Sequence, residues 1–210
     1  MFANSMTEHS YVECTASCLI ALQAFQRHDP TYQAAELTTT RHRAGRWLRQ
    51  QQQADGSWSG FWGVNFIYGT LFGIYGLLAT ENSDDTPAIQ KACRWLISKQ
   101  RSDGGWGEHF QGCLSGQYVE HTDSQVTQTA WALMALLKAN AQADQTITKG
   151  VNFLIERQLD TGNWPKQDMS GLFFQTALLD YTLYRSYFPL WAIALYASKQ
   201  KNQLGQSNSS

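Results

Sequence analysis

Near the start of the chain, the residues best equipped for chemistry are Glu13 and Cys14 in "YVECTASCL", Tyr11 to Leu19. A carboxylate set against a cysteine, a threonine and a small residue could serve as a general acid whose pKa its neighbours tune. The second resource is aromatic. The chain holds 8 Trp, 9 Tyr and 10 Phe, 13% of its residues and more flat apolar surface than an ordinary core needs. Metal chemistry has no comparable pattern. Cys14, Cys18, Cys93 and Cys113 form no C-x-x-C pair, and the 5 His fall in no zinc-like spacing with them. Thiols held in a reducing compartment are the expectation, with no metal site among them.

The elements that must position these groups come from one or two ordinary domains, since 210 residues with 43% hydrophobic content can bury a substantial core. A net charge of −1 with interspersed signs leaves neither a basic stripe for nucleic acid nor a polybasic block for anionic lipid. No N-terminal run is flanked like a signal peptide. The longest apolar stretch, Val64 to Ala79, is interrupted by Asn65, Gly69, Thr70, Gly73 and Gly76, so no transmembrane span is predicted. The polar end "KQKNQLGQSNSS" predicts a disordered tail over 199–210, with the ordered domain over 1–198.

Three segments superimpose: "RAGRWLRQQQQADGSW", "KACRWLISKQRSDGGW" and "KGVNFLIERQLDTGNW". Each carries a basic residue (Arg43, Lys91, Lys149) and an aromatic-Leu pair (Trp47-Leu48, Trp95-Leu96, Phe153-Leu154). A Gln (Gln52, Gln100, Gln158), a Gly and a Trp (Trp58, Trp106, Trp164) complete the pattern. Gln and Trp stand six residues apart in all three. The Trp residues are 48 and 58 apart, room for two helices and two loops per unit. An all-α array of helical hairpins follows, with each repeat burying its apolar face against its neighbours.

Helices are predicted near 8–27, 33–53, 64–80, 87–100, 122–140, 144–158 and 173–198, the last broken before Pro189. Pro87 reads as a first-turn proline, and Thr122-x-x-Gln125 as a capping box. The segments 64–80 and "TAWALMALL" are apolar nearly all round and read as inner helices; those ending in the repeated Gln read as outer ones. The Gln and Trp are expected to be structural, the amide satisfying backbone groups of the neighbouring helix while packing on the indole.

The repeat resembles the QW motif of the triterpene cyclases, the squalene-hopene and oxidosqualene cyclases. "DGSWSGFWGVNFIYGT", "DGGWGEHF", "SQVTQTAWALMALL" and "YTLYRSYFPLWAIALY" resemble the C-terminal part of those enzymes, in the family's order. The resemblance implies an α/α toroid, here a partial α6/α6 barrel. The implied reaction folds a C30 polyene in a dry cavity, protonates one end and guides a carbocation through ring closures. It also implies an isomerase that needs no cofactor. "LFFQTALLDYTLYRSYFPLWAI" looks closer to the oxidosqualene cyclases, which makes 2,3-oxidosqualene the implied substrate ahead of squalene. Trp62 in "GFWGV", Phe173 in "SGLFF", and Tyr181 and Tyr184 in "DYTLYR" match cavity aromatics of the family. Phe174 is the neighbour most easily confused with Phe173.

The family's proton donor is the first Asp of a D-C-T-A-E motif. "ECTAS" at Glu13 to Ser17 departs from it at both carboxylates and is more similar to a second element, Y-V-E-C-T, whose Cys hydrogen-bonds to the donor. By that resemblance Cys14 tunes an acid and Glu13 is structural. The donor would lie before Met1, together with the family's N-terminal half, its second barrel and its membrane-attached helix. The chain alone is then expected to be inactive. Two other readings stand beside this one: a non-catalytic half-toroid that binds hydrophobic ligands or docks on a separate N-terminal cyclase chain, and a toroid of the protein prenyltransferase β-subunit kind. The last needs a zinc constellation that the sequence lacks.

Overall fold

The computed structural model describes residues 9–173 and 177–207. Eight α-helices are assigned among them: α1 (Val12–His28), α2 (Ala34–Gln51), α3 (Phe66–Thr80), α4 (Thr86–Ser98), the short α5 (Gln111–Ser115), α6 (Val126–Lys138), α7 (Asp144–Glu156) and α8 (Tyr184–Ser207). Setting α5 aside, inner and outer helices alternate along the chain. The inner helices lie side by side in the order α1, α3, α6, α8, and α2, α4 and α7 pack against them from outside. Burial follows the sequence pattern. Twelve residues of α3 and twelve of α6 are buried, whereas α4 and α7 bury only one stripe, Ala92, Cys93, Trp95 and Leu96 in the first case.

Each outer helix ends in the repeated turn, and four hydrogen bonds recur in register. The indole N–H of Trp58, Trp106 and Trp164 donates to the carbonyl of Leu48, Leu96 and Leu154 at 2.7, 2.8 and 2.8 Å. The Gln amide donates four residues ahead, to Gly56, Gly104 and Gly162. The residue after the Gln accepts from the Gly and donates to the residue before the Trp, at Gln53, Arg101 and Leu159. The glycine takes φ of +106°, +87° and +81°, a conformation costly for any side chain. The aromatic-Leu pair is thereby explained: the Leu carbonyl, one of the last in its helix, receives the indole.

Pro87 sits in the first turn of α4, where its missing N–H costs nothing. Three expectations need correction. The capping box at Thr122 does not form: α6 begins at Val126 with Gln125 as its cap residue, and the Thr122 hydroxyl bonds to Asp123. The first free N–H of α6, at Val126, is instead satisfied by the Gln167 side chain at 2.6 Å. The helix expected over 173–198 begins only at Tyr184, because residues 171–173 and 177–179 are drawn into β structure. Strands β1 (Gly171–Phe173) and β2 (Ala177–Leu179) pair antiparallel with Leu172 opposite Leu178. Pro189 falls in the second turn of α8 and does not break it; it removes one bond, to the Arg185 carbonyl, and the helix runs on to Ser207, past 198.

Candidate functional site

The four aromatics singled out in the sequence come from three separate elements. Trp62 lies in the loop between the first repeated turn and α3, Phe173 ends β1, Tyr181 follows β2, and Tyr184 opens α8. Backbone pairing brings them together. Leu172 N–H donates to the Trp62 carbonyl at 3.0 Å, Val64 N–H donates to the Ser170 carbonyl at 2.9 Å, and Gly63 bridges Gly171 between them. The loop and the hairpin are in effect one small sheet, which is why an apolar run readable as helix folds as strand: its N–H and C=O groups have partners waiting on the 62–64 loop.

Both bridging glycines lie under aromatic rings. A Cβ on Gly63 would stand 2.6 Å from the Tyr68 ring, and one on Gly171 would stand 2.3 Å from the Tyr181 ring. Only glycine lets the rings close down on this backbone. Trp62 and Phe173 face each other at 5.9 Å between centroids, Tyr181 and Tyr184 at 4.8 Å. Tyr184 extends the cluster inward: it meets Trp131 of α6 at 5.9 Å and Phe188 at 5.1 Å, and its hydroxyl accepts from that of Tyr68. Burial, reinforced by neighbouring tyrosines, pushes the Tyr184 hydroxyl up to about 12, so it stays neutral. Phe173 and Tyr181 are each 42% exposed, so both rings remain accessible from solvent. Phe174 lies outside the described residues.

Tyr68, Trp131 and Phe188 were not named from the sequence. Tyr68 and Trp131 sit on helices apolar nearly all round, where any aromatic reads as core; the glycines Gly63 and Gly171, on which rings close, were the available signal.

Glu13 is 5% exposed. Its Oε1 accepts the N–H groups of both Phe61 and Trp62, and Tyr11 stacks on Phe61 at 4.0 Å. Burial pushes the Glu13 carboxyl upward against the opposing pull of those N–H donors. Cys14, the next residue on α1, is exposed. A second buried carboxylate went unnoticed in the sequence. Glu108, 2% exposed, accepts at Oε1 from Phe66 N–H (3.0 Å) and at Oε2 from Asn65 and Ile67 N–H (3.1 and 3.0 Å), capping α3. Burial drives it up to about 7 despite those three bonds. Its signal was positional: two residues after the repeated Trp stand Gly60, Glu108 and Lys166, and only the middle one is an acid.

A cavity of about 340 Å³ also borders Tyr181, and its lining brings Glu108, His121, Asp168, Lys166 and Arg185 together with Phe110, Met169 and Leu178. His121 and Asp168 pair across it at 2.9 Å. Among the described residues no group of three or more His, Cys, Asp or Glu could hold a metal, and no helix is long and apolar enough to cross a membrane.

Comparison with known proteins agrees with this architecture. The chain is 43% identical over 197 residues to cycloartenol synthase of Dictyostelium discoideum, covering 93% of this chain. It is 37% identical over 201 residues to human lanosterol synthase, covering 94% of it. In both cases the match spans only 28% of the relative's length. Among solved structures, ent-copalyl diphosphate synthase from Streptomyces platensis superimposes with a TM-score of 0.70 at 20% identity, covering 90% of this chain and 34% of that one. The type II terpene cyclase MstE from Scytonema follows at 0.54 and 23% identity, covering 69% and 39%. At those identities the likeness is one of fold. The family model of the squalene-hopene cyclase C-terminal domain matches residues 2–198, nearly the whole helical array with its three repeated turns, and the chain belongs to that family.

Proposed function

We propose that this chain forms one wall of the cyclisation cavity of a triterpene cyclase acting on 2,3-oxidosqualene or a closely similar polyene. The observation that carries the reading is the gathering of Trp62, Phe173, Tyr181 and Tyr184 around the Gly63–Gly171 bridge. A carbocation moving along a hydrocarbon is trapped or deprotonated early by a carboxylate, whereas an aromatic face stabilises it without reacting. Each such contact is worth on the order of 2 kcal/mol when desolvated, enough for a few rings to steer both rate and product. The two buried acids nearby do not contradict this, because the oxygens of Glu108 and one oxygen of Glu13 are occupied by backbone N–H groups.

Initiation needs a strong, desolvated acid. The 210 residues contain no D-C-T-A-E motif, and we assign protonation to an aspartate outside them. Cys14 serves as the hydrogen-bond donor to that aspartate, and the N-terminal half of a cyclase, membrane-attached in the family, is the partner that brings it. The test is reconstitution. The purified chain incubated with oxidosqualene should give no cyclised product alone. Co-expressed with a cyclase N-terminal half carrying the acid motif, it should give product, and Trp62→Ala should then divert it to incompletely cyclised material. Product from the isolated chain, or an unchanged product pattern with Trp62→Ala, overturns the assignment; binding of squalene without turnover in either setting would favour a hydrophobic-ligand module.

A further inference from the structure

The 61–67 segment is held in a way that its role as a loop does not require. Five of its N–H groups, those of Phe61, Trp62, Asn65, Phe66 and Ile67, are taken by just two side chains, Glu13 from α1 and Glu108 from the loop after the second repeated turn. Both carboxyls are almost fully buried. The segment contains Trp62 and ends one residue before Tyr68, so the two acids grip it next to the Trp62 ring and next to the ring that covers Gly63. Packing alone would not select this arrangement. Among the described residues Glu13 Oε2 is buried with no hydrogen-bond partner, and a buried carboxyl oxygen left unbonded is costly compared with an apolar side chain of the same size.

We infer that Glu13 and Glu108 are positioning residues, a pair of carboxylates that fixes the backbone of 61–67 and thereby sets the Trp62 ring against Phe173 and the Tyr68 ring against Tyr184. Neither touches the polyene. Their effect on cyclisation passes through the aromatic rings, and to that extent the inference rests on the proposed function. The geometry makes the two acids unequal in a way that can be tested. Glu13 uses one oxygen for both of its bonds, so a glutamine, whose single carbonyl oxygen can accept two N–H groups, reproduces the grip. Glu108 uses both oxygens, and a glutamine there must turn an NH₂ toward at least one backbone N–H.

The experiment uses the full 210-residue chain labelled with 5-fluorotryptophan, with the Trp62 resonance assigned by Trp62→Phe and ¹⁹F NMR as the readout. Glu13→Ala and Glu108→Gln should each displace or broaden the Trp62 signal while the Trp164 signal, in the third repeat, stays in place. Glu13→Gln should leave the Trp62 signal where it is in the parent. The inference fails if Trp62 is unmoved by both Glu13→Ala and Glu108→Gln, or if Glu13→Gln moves it as far as Glu13→Ala. It fails equally if Trp164 shifts as much as Trp62, since the acids would then be general core groups. No turnover is measured, so a failed reconstitution counts against the cyclase reading and leaves this result standing.

Discussion

The second and third repeated turns have nearly the same internal bonds and very different surroundings. Around Trp106 the motif reaches into its neighbours: the Gln100 amide also donates to the Thr146 carbonyl in the first turn of α7, at 2.8 Å. A Cβ on Gly104 would lie 2.7 Å from the Lys149 carbonyl oxygen, and the Trp106 N–H donates to Thr129 of the inner helix α6 at 2.9 Å. The first turn does the same with Ala88, Lys91 and Thr70. Around Trp164 these outward contacts are missing among the described residues. Gln158 keeps its bond to Gly162, a Cβ on Gly162 would meet nothing within 4 Å, and the Trp164 N–H turns back to its own neighbour Asn163. The motif is therefore two devices in one. Its indole and turn bonds close a helix end locally, and its Gln and Gly couple one outer helix to the next wherever a next helix is present.

The largest test of that division is removal of the indole. Trp106→Ala should cost about 3–5 kcal/mol, the usual range for truncating a large buried aromatic. Trp106 also lies against α7, where a Cβ on Gly150 would come within 2.9 Å of its ring. Trp164→Ala should cost less, because its ring closes only one helix end. Melting temperatures that fall equally for the two would show that the outward contacts carry no stability.

Glu108 should give the fold a pH slope that the equivalent positions in the other repeats, Gly60 in the first and Lys166 in the third, do not. In the unfolded chain the Glu108 carboxyl titrates near its ordinary 4.5, and in the folded chain near 7. Between those values the folded protein keeps a proton that the unfolded chain has released. Stability should therefore fall as pH rises from about 4.5 through about 7. Glu13, displaced in the same direction, adds to the slope. Glu81 does not interfere: its ion pairs with Arg27 and Arg41 hold it down to about 2, so its contribution is lost only at lower pH. Chemical denaturation across this window should show a shallower slope for Glu108→Gln than for the parent, and an identical slope would contradict the burial of a proton there.

Backbone strain separates the two turns next. Gly162→Ala should cost about 1–2 kcal/mol, the penalty of placing a side chain at positive φ. Gly104→Ala has that penalty and the collision with the Lys149 backbone as well, so its midpoint should drop further. Equal losses would mean that α7 can yield by the few tenths of an ångström the methyl group demands.

The difference between the turns also shows what a sequence can disclose. The repeated bonds are local, within ten residues, and their residue types recur, so Gln52, Trp58, Gln100, Trp106, Gln158 and Trp164 and the inner-outer alternation were legible from spacing. What lay hidden depends on pairing across long separations. The pair of strands 171–173 and 177–179 forms because the 62–64 loop offers it a sheet edge, more than 100 residues away in sequence, and the apolar pattern of the segment reads as helix until that edge is known. Glu108 was invisible for the same reason: its partners Asn65, Phe66 and Ile67 lie 41 to 43 residues earlier. The clustered aromatics Trp62, Phe173, Tyr181 and Tyr184 were legible only because a resemblance named them, since Tyr68 and Trp131 in the same cluster have the local pattern of any core ring.

The smallest effect is the most specific to the comparison. Gln100 makes two hydrogen bonds from one amide nitrogen, to Gly104 within its own turn and to Thr146 on α7, while Gln158 makes the first alone. A net hydrogen bond contributes about 1 kcal/mol, less where water can replace it. Gln158 bonds at an exposed position, and solvent can take over its carbonyl, so Gln158→Ala should lower stability by only a few tenths of a kcal/mol. Gln100→Ala removes a bond between two outer helices in a partly buried site and should cost about 1–2 kcal/mol. A double mutant joining Gln100→Ala with Gly104→Ala should cost less than the sum of the two, because both residues act on the same α4–α7 seam. The corresponding pair Gln158→Ala and Gly162→Ala has no facing helix to share and should add. If both pairs add, Gln and Gly act independently even where a neighbouring helix is present, and the coupling role assigned to the motif is lost.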